Sequence, residues 1–463
     1  MVRTADPTGD SMSRFQQTRR GFLQGTLAGV AASPLVLNGD WLRAQAPSKM
    51  VNVGFIGVGN QGMNLLNKVL QYNLANVVAV CDVNEGSFGY REPSHFYGRE
   101  PAKKIVDEHF GKLQGKTDWK GCQATALFEE VLENPNVDAV IVVVPDHWHA
   151  VISTMAAKAG KAVYCEKPLS LTVADGQEMV DAAHKYKTIF QTGSHERSNP
   201  ISKFVCDKVL AGAIGKVTRV ETTIGHNNKP TPGPGWKPQP VPATFDYERW
   251  LGPAQEEPYH PERCLYRFRF IYDYSGGQIT NFGAHCNDIA QWGLGRDLSG
   301  PVEYECTRAV FPEAGSLFNT ALESTVKVRY ADGLELTCTS GKPVVQTRFE
   351  GEDGWLQTGY GGTTASRKEL LEGLPNTKGQ MDATSLHLKN FFDTIKGEDK
   401  LHAPVEIGHS SATMCHLMNI AIRRFPETPS KVLKWDANAV KFTNDDNANA
   451  LLSRPRREPW TVA

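Results

Sequence analysis

Apolar and β-branched residues alternate over Val51–Ile56, glycines follow, and Met63, Leu65, Leu66, Val69 and Leu70 then fall at helical spacing: a strand, a turn and an amphipathic helix. The pattern recurs. A second apolar strand, Val77–Cys81, ends at Asp82, and helical spacing returns over Ala102–Phe110 and over Phe128–Leu132, which stops at Asn134-Pro135. Val137–Val144 is an almost unbroken apolar run, as expected of a parallel strand covered on both faces. After a loop at 145–149, a helix over Ala150–Ala159 leads to a strand over Ala162–Cys165. Farther on the period changes to two: Lys216–Thr222, Val302–Phe311, Ser324–Tyr330 and Leu334–Thr339 read as half-buried strands, with Asp332-Gly333 as a hairpin turn between the last two. Helices over Leu386–Ile395 and Ser410–Arg423 close the chain, and no internal repeat is visible. The fold class is α/β.

Composition narrows this. At 463 residues the chain is long enough for two or three domains, and 40% hydrophobic with 22% charged residues is a soluble globular balance. A net charge of -1 offers no basic face for nucleic acid. Nine cysteines, odd in number and nowhere spaced CxxC, read as reduced buried thiols, neither a disulfide framework nor a zinc site.

The first 48 residues read as an address. Thr18-Arg19-Arg20-Gly21-Phe22-Leu23 opens an apolar stretch to Leu37, broken by Gly25, Gly29 and Pro34, and Ala44-Gln45-Ala46 offers a cleavage site. The segment predicts twin-arginine export to the periplasm, with no membrane insertion once the signal is removed. That route carries folded proteins with their cofactors, so an exported chain without disulfides is consistent with it.

Gly57-Val58-Gly59-Asn60-Gln61-Gly62 lies between the first strand and the first helix, and Asp82 follows at the end of the second strand. In a dinucleotide site the first glycine permits the tight turn. The second lets the backbone approach a pyrophosphate, and the third packs helix on strand. The helix N-terminus gives N–H groups to the phosphates, and an acid at Asp82 accepts from ribose hydroxyls while repelling a 2′-phosphate. NAD is therefore expected ahead of NADP, with Gly57, Val58, Gly59, Asn60, Gln61, Gly62 and Asp82 as its ligands.

Two more motifs sit at strand ends, Pro145-Asp146-His147-Trp148-His149 and Glu166-Lys167-Pro168, and a third runs from Gly276 to Asp288 through Asn281 and His285. With the glycine turn, they resemble the Gfo/Idh/MocA oxidoreductases, which include glucose–fructose oxidoreductase and inositol dehydrogenase. The end of the chain, Leu452 to Trp460, is similar to an exported bacterial branch of that family. The resemblance implies a Rossmann domain over 49–197 and a C-terminal α/β domain with an open, mainly antiparallel sheet over 198–463. It also implies a homo-oligomer, dimer or tetramer. It puts Pro145, Trp148, His149, Glu166 and Lys167 beside the nicotinamide, makes Lys167 the catalytic lysine and makes His285 the acid/base residue.

The residues suit those roles. An ammonium can hold a substrate oxygen and stabilise charge on it, and a histidine titrates near neutrality. Asp288, three residues after His285, either orients it or is an ordinary helix-face carboxylate. Many members of the family carry Asp where this chain has Asn281, and an amide holds a hydroxyl but takes no proton. Arg197 contacts substrate or makes a structural salt bridge. His147 and His149 lack a completing ligand, so no metal is expected. The stretch 225–274 is rich in aromatics and carries Arg263, Arg267 and Arg269. Its rings either stack on sugars or bury an oligomer interface.

Outside the cytoplasm there is no NAD pool to exchange with. The expected function is therefore oxidation and reduction at a CH–OH group of a sugar, polyol or sugar derivative, with a non-dissociable cofactor. The alternatives are an NAD-dependent glycosidase or lyase that transiently oxidises a sugar carbon, and a non-catalytic dinucleotide or sugar binder. The presence of both Lys167 and His285 argues against the binder.

Overall fold

Strands without a polar face have to be covered from both sides, and this requirement organises the first half of the molecule. The computed structural model describes residues 50–226 and 231–460; the paired-arginine segment and its cleavage site lie outside the described residues. Strand β1 (Asn52–Ile56) passes through the glycine turn into α1 (Asn60–Gln71), which buries Met63, Leu65, Leu66, Val69 and Leu70. Then come β2 (Asn76–Cys81), α2 (Arg99–Gln114), β3 (Gln123–Thr125), α3 (Phe128–Glu133) and β4 (Ala139–Val142). The half ends with α4 (Asp146–Lys158), β5 (Ala162–Cys165), α5 (Val173–Tyr186) and β6 (Phe190–Thr192). All neighbours are parallel, in the order β3-β2-β1-β4-β5-β6. Strand order reverses between β1 and β4, and a crevice opens beyond the carboxyl ends of strands at such a reversal.

One expectation needs correction. Residues 145–149 do not form a loop: α4 begins at Asp146, so His147, Trp148 and His149 are in its first turns. Pro145 holds an extended conformation (ψ 149°), and an acid in the first turn suits the helix dipole, so the chain turns helical at once.

The second half starts with α6 (Pro200–Leu210) and β7 (Val217–Ile224). After a long strap that contains α7 (Tyr247–Leu251), two short helices follow, α8 (Gly277–Asn281) and α9 (Gly283–Gly293). Next are β8 (Glu303–Val310), β9 (Glu323–Arg329), β10 (Glu335–Thr339), β11 (Val345–Gly351), β12 (Gly354–Gly359) and β13 (Thr364–Ala365). Helices α10 (Ala383–Lys396) and α11 (Val405–Arg424) precede β14 (Val432–Asp436) and β15 (Lys441–Phe442). The nine strands form one sheet, β13-β12-β11-β7-β10-β9-β8-β14-β15, antiparallel except where β7 pairs with β10. One face packs on α9 and α11 in a single core that includes Ile289, Met418, Val326 and Leu336. Arg219–Glu221 and Arg348–Glu350 pairs lie on β7 and β11, where Arg348 stacks on Trp355 at 4.0 Å.

All nine cysteines are buried free thiols. Among the described residues no helix is long and apolar enough to cross a membrane.

Candidate active site

The crevice expected at the strand reversal is a cleft of about 460 Å³, and residues from both halves line it. Its nucleotide end begins at the glycine turn. Gly57 sits at φ +92°, and a Cβ there would lie 2.2 Å from the Val143 carbonyl; one on Gly62 would lie 2.2 Å from the Gly57 carbonyl. The turn therefore admits no side chain at either place, and the bare backbone leaves a cradle at the N-terminus of α1. The Asn60 Oδ1 is buried there without a partner. This cradle fits a dinucleotide pyrophosphate. Gly57, Gly59, Asn60, Gln61 and Asp82 all line the cleft.

Val58 and Gly62 lie just outside that lining. The Val58 N–H donates to Asp82 Oδ2 at 2.8 Å, and Gly62 is a packing glycine. Asn84 N–H donates to the other Asp82 oxygen at 2.9 Å, so the carboxylate is fixed at the end of β2 with lone pairs to spare. Burial pushes its pKa up, and these backbone donors oppose the shift.

The other end of the cleft gathers Pro145, Trp148, Glu166, Lys167, Asn281 and His285. Lys167 Nζ donates to Asn281 Oδ1 at 3.1 Å, while the Asn281 amide donates to Gln278. Burial lowers the Lys167 pKa and Arg269 adds to the effect; Glu166 opposes it. His285 is 4% exposed, and its Nδ1 has no partner. Burial, then Lys167 and His195, hold its pKa well below the ordinary histidine value. At neutral pH the cleft thus presents a neutral imidazole beside an ammonium: a proton acceptor next to a group that can hold an oxygen.

Three expected site residues are elsewhere. Asp288 and Arg197 meet each other instead of a substrate. Arg197 Nε and Nη2 both reach the Asp288 carboxylate, the shortest contact being 2.8 Å, and Nη2 also reaches Asp297 at 2.7 Å. Both residues are buried and neither lines the cleft. A charge at this depth needs a partner, and each supplies the other's, which turns Asp288 away from His285. His149 lies behind the wall: Nδ1 is 2.9 Å from the Pro168 carbonyl and Nε2 is 2.9 Å from the Val144 carbonyl. Two carbonyl partners need two N–H donors, so this histidine is an imidazolium. Burial opposes that charge, yet Cys165, Asp146 and the Pro168 carbonyl hold its pKa up at about 10. His149 thereby clamps the ends of β4 and β5 on either side of Lys167. His147 Nε2 is engaged with the Trp250 carbonyl at 3.0 Å, and no group of described residues could hold a metal ion.

Other lining residues had weaker signals. His195 stands 4.7 Å from His285, ring to ring, and its Nδ1 is also unpartnered; it sits inside the Gly193–Arg197 motif, where only Arg197 drew notice. Tyr360, at the end of β12, packs against Phe282 (5.6 Å) and His285 (6.3 Å) from a glycine-rich turn that carries no recognisable motif. Tyr90 and Arg91 come from an insertion after β2.

The aromatic strap roofs the cleft. Glu85 N–H donates to the Thr244 carbonyl at 2.9 Å, and Asp246 N–H donates to that of Val83 at 3.1 Å. Leu265 touches the Gly89 region, and the Trp250 carbonyl accepts from the Trp148 indole at 3.0 Å. Most of the strap's rings pack on one another, with Trp250, Tyr259, Phe270 and Tyr274 in one cluster with Phe318. These rings are chiefly the strap's own core, and Phe245, Trp250, Tyr266 and Phe268 also line the cleft. Trp460, near the end of the chain, meets Trp148 edge to face at 4.7 Å.

Comparison with known proteins agrees with this geometry. Residues 51–194 match the model of an oxidoreductase family's NAD-binding Rossmann fold, and residues 195–462 match that family's C-terminal alpha/beta domain. A myo-inositol 2-dehydrogenase of Thermotoga maritima is 32% identical over 166 residues, 36% of this chain and 42% of the relative. A glycosyl hydrolase family 109 protein of Stenotrophomonas maltophilia is 28% identical over 180 residues, 39% of this chain and 35% of the relative. The chain thus matches less than half the length of either. The crystal structure of an aldose-aldose oxidoreductase from Caulobacter crescentus, complexed with glycerol, superposes with a TM-score of 0.59 at 18% identity, covering 84% of this chain and 100% of that one.

Proposed function

The chain belongs to the Gfo/Idh/MocA oxidoreductase family, and on that premise we propose that it oxidises and reduces a CH–OH group of a sugar, polyol or sugar derivative, with its NAD retained between half-reactions. The observation that carries the reading is the pairing, in one cleft with the dinucleotide cradle, of the Lys167 ammonium and the neutral His285. Bound NAD supplies the hydride acceptor. His285 takes the hydroxyl proton of the substrate as the carbinol C–H bond breaks, and Lys167 Nζ holds the oxygen as it becomes a carbonyl. In the return direction His285 gives the proton back. Asn281 orients Lys167 and takes no part in proton transfer.

Retention is supported by the strap, which lines the cleft with Phe245, Trp250, Leu265 and Tyr266 and is tied by backbone hydrogen bonds to Val83 and Glu85, beside Asp82. Asp82 favours NAD over NADP. Export to the periplasm by the paired-arginine segment gives retention its use, since one substrate must then reoxidise what another reduced. The outer face of the nine-stranded sheet is the face we assign to a homo-oligomer.

The protein purified without added nucleotide and then denatured is expected to release NAD(H) in stoichiometric amount. Absorbance at 340 nm should then rise in the native protein when a suitable sugar or polyol is added. An empty protein that turns over only with added NAD would disprove retention. Glycoside cleavage with no net change at 340 nm would favour the glycosidase alternative.

A further inference from the structure

Three arginines fall within seven residues of the strap, and two are committed to acids of their own segment. Arg263 meets Glu257 at 3.3 Å, and Arg267 meets Glu262 at 2.8 Å. Arg249, another cation of the cleft wall, meets Glu129 at 3.2 Å. Arg269 differs. It lines the cleft with Lys167 and His285, and no described carboxylate lies within 4.0 Å of it. Its guanidinium face rests on the Tyr266 ring at 4.0 Å, with Phe268 at 5.6 Å. A guanidinium stacked in this way has its plane fixed and presents its edge, the fork that matches a carboxylate in bidentate fashion.

The acids of the cleft answer that charge only in part: Asp146 eases it through space, but none makes a close ion pair with it. Asp146 accepts from the Ser275 hydroxyl at 2.5 Å, Asp82 from two backbone N–H groups, and Glu166 from Gln61 and from its own neighbour's N–H. The pyrophosphate of the cofactor has its donors at the other end, in the N-terminus of α1. Lys167 and Arg269 are thus two cations that share the end of the cleft where hydride transfer is assigned; burial makes each costlier, and Arg269 adds to the cost of Lys167. A neutral sugar would leave that charge unanswered.

We propose that the substrate carries a carboxylate, as a uronic or aldonic acid does, and that Arg269 receives it while Lys167 and His285 work on a hydroxyl. The inference rests on the reading of the cleft as a hydride-transfer site. It adds a class of substrate: polyhydroxy acids over neutral sugars and polyols.

The test uses the purified holoprotein and two matched pairs, D-glucuronate against D-glucose and D-gluconate against D-glucitol. Calorimetric binding and the initial change at 340 nm are both measured. Each acid is expected to bind at least tenfold tighter than its neutral partner, with the gap narrowing in high salt. Arg269→Met should erase the gap, Arg269→Lys should restore part of it, and bound NAD(H) per subunit should stay unchanged in both. Equal binding within either pair would overturn the proposal, and so would no binding of either acid. Loss of nucleotide from Arg269→Met with the gap intact would assign Arg269 to the pyrophosphate. Gluconate binding that depends on Arg269 with no change at 340 nm for any compound would sink the redox reading and leave this one standing. Glucose acting as fast as glucuronate would do the reverse.

Discussion

The polar groups behind the cleft wall and those facing into it are of similar residue types, but the former are buried and paired while the latter, His285 apart, are half-buried and less fully partnered. Behind the wall, His149 has a carbonyl on each ring nitrogen, Lys161 donates to the carbonyls of Asn134 and Val137 at 2.8 Å each, and Arg197 holds Asp288 and Asp297. Facing the cleft, His285 and His195 each leave Nδ1 bare, Asn60 leaves Oδ1 bare, and Arg269 has no acid. A buried polar atom without a partner costs about 1–3 kcal/mol, so such atoms persist where a ligand completes them. A bare atom does not by itself mark a working group, since Tyr164 Oη, Gln191 Oε1 and Thr192 Oγ1 are also unpartnered away from the cleft; it marks one where a ligand in the cleft can reach it.

The sharpest way to break that contrast is Asp288→Ala. It strands Arg197 with Asp297 alone, and urea unfolding should show a loss of about 3–5 kcal/mol. Turnover by the folded fraction should stay within about threefold. A collapse in turnover at unchanged stability would return Asp288 to the active site. On the cleft side, Lys167→Met should cut turnover by about 10²–10³ while melting temperature and bound nucleotide hold. His285→Gln should cost about 10² and remove the acidic limb of the pH–rate profile. That limb should fall below the ordinary histidine value of 6.5, because the depressed pKa keeps His285 a free base until the pH drops through it.

His149 should act with the opposite sign. Its folded pKa is raised to about 10, so its contribution to stability is full below the unfolded value near 6.5 and is lost as pH climbs toward 10. The slope is about 1.4 kcal/mol per pH unit. Unfolding free energy followed from pH 7 to 10 should show that slope in the parent protein and lack it in His149→Gln. The smallest effect is expected from Tyr360→Ala: the ring is 57% exposed, so stability should not move, and KM for substrate should rise only severalfold.

Much of this was legible in the sequence because local rules fix it. A strand, three glycines, a helix and an acid at the next strand end leave few folds open, and Gly57, Gly59 and Asp82 fall where that order puts them, while Lys167 and His285 line the same cleft as the family resemblance implied. The strands β11 and β12 went unread because their alternation is diluted by Gln346, Arg348, Gln357 and three glycines; the buried apolar rungs are only Phe349 and Leu356. Asp288 and Arg197 were left open between a site role and a structural one for a different reason. Helical spacing fixes the face on which a residue starts but not which buried charge its side chain turns toward, and that depends on two segments far apart in sequence. Arg269 looked like its neighbours Arg263 and Arg267, because an unmet charge is visible only once every acid around it has a position.

The strap also sets an order of events. Its backbone is laid on residues 83–85, beside the acid that ends β2, so the roof of the nucleotide cleft is made of chain synthesised long after the floor. Under the proposed retention, a nucleotide present during folding is held by the strap, and one offered to the finished protein waits for the strap to lift, so its uptake rate should level off as nucleotide concentration rises. The plateau should match the opening rate read from hydrogen exchange at the amides of Glu85 and Asp246.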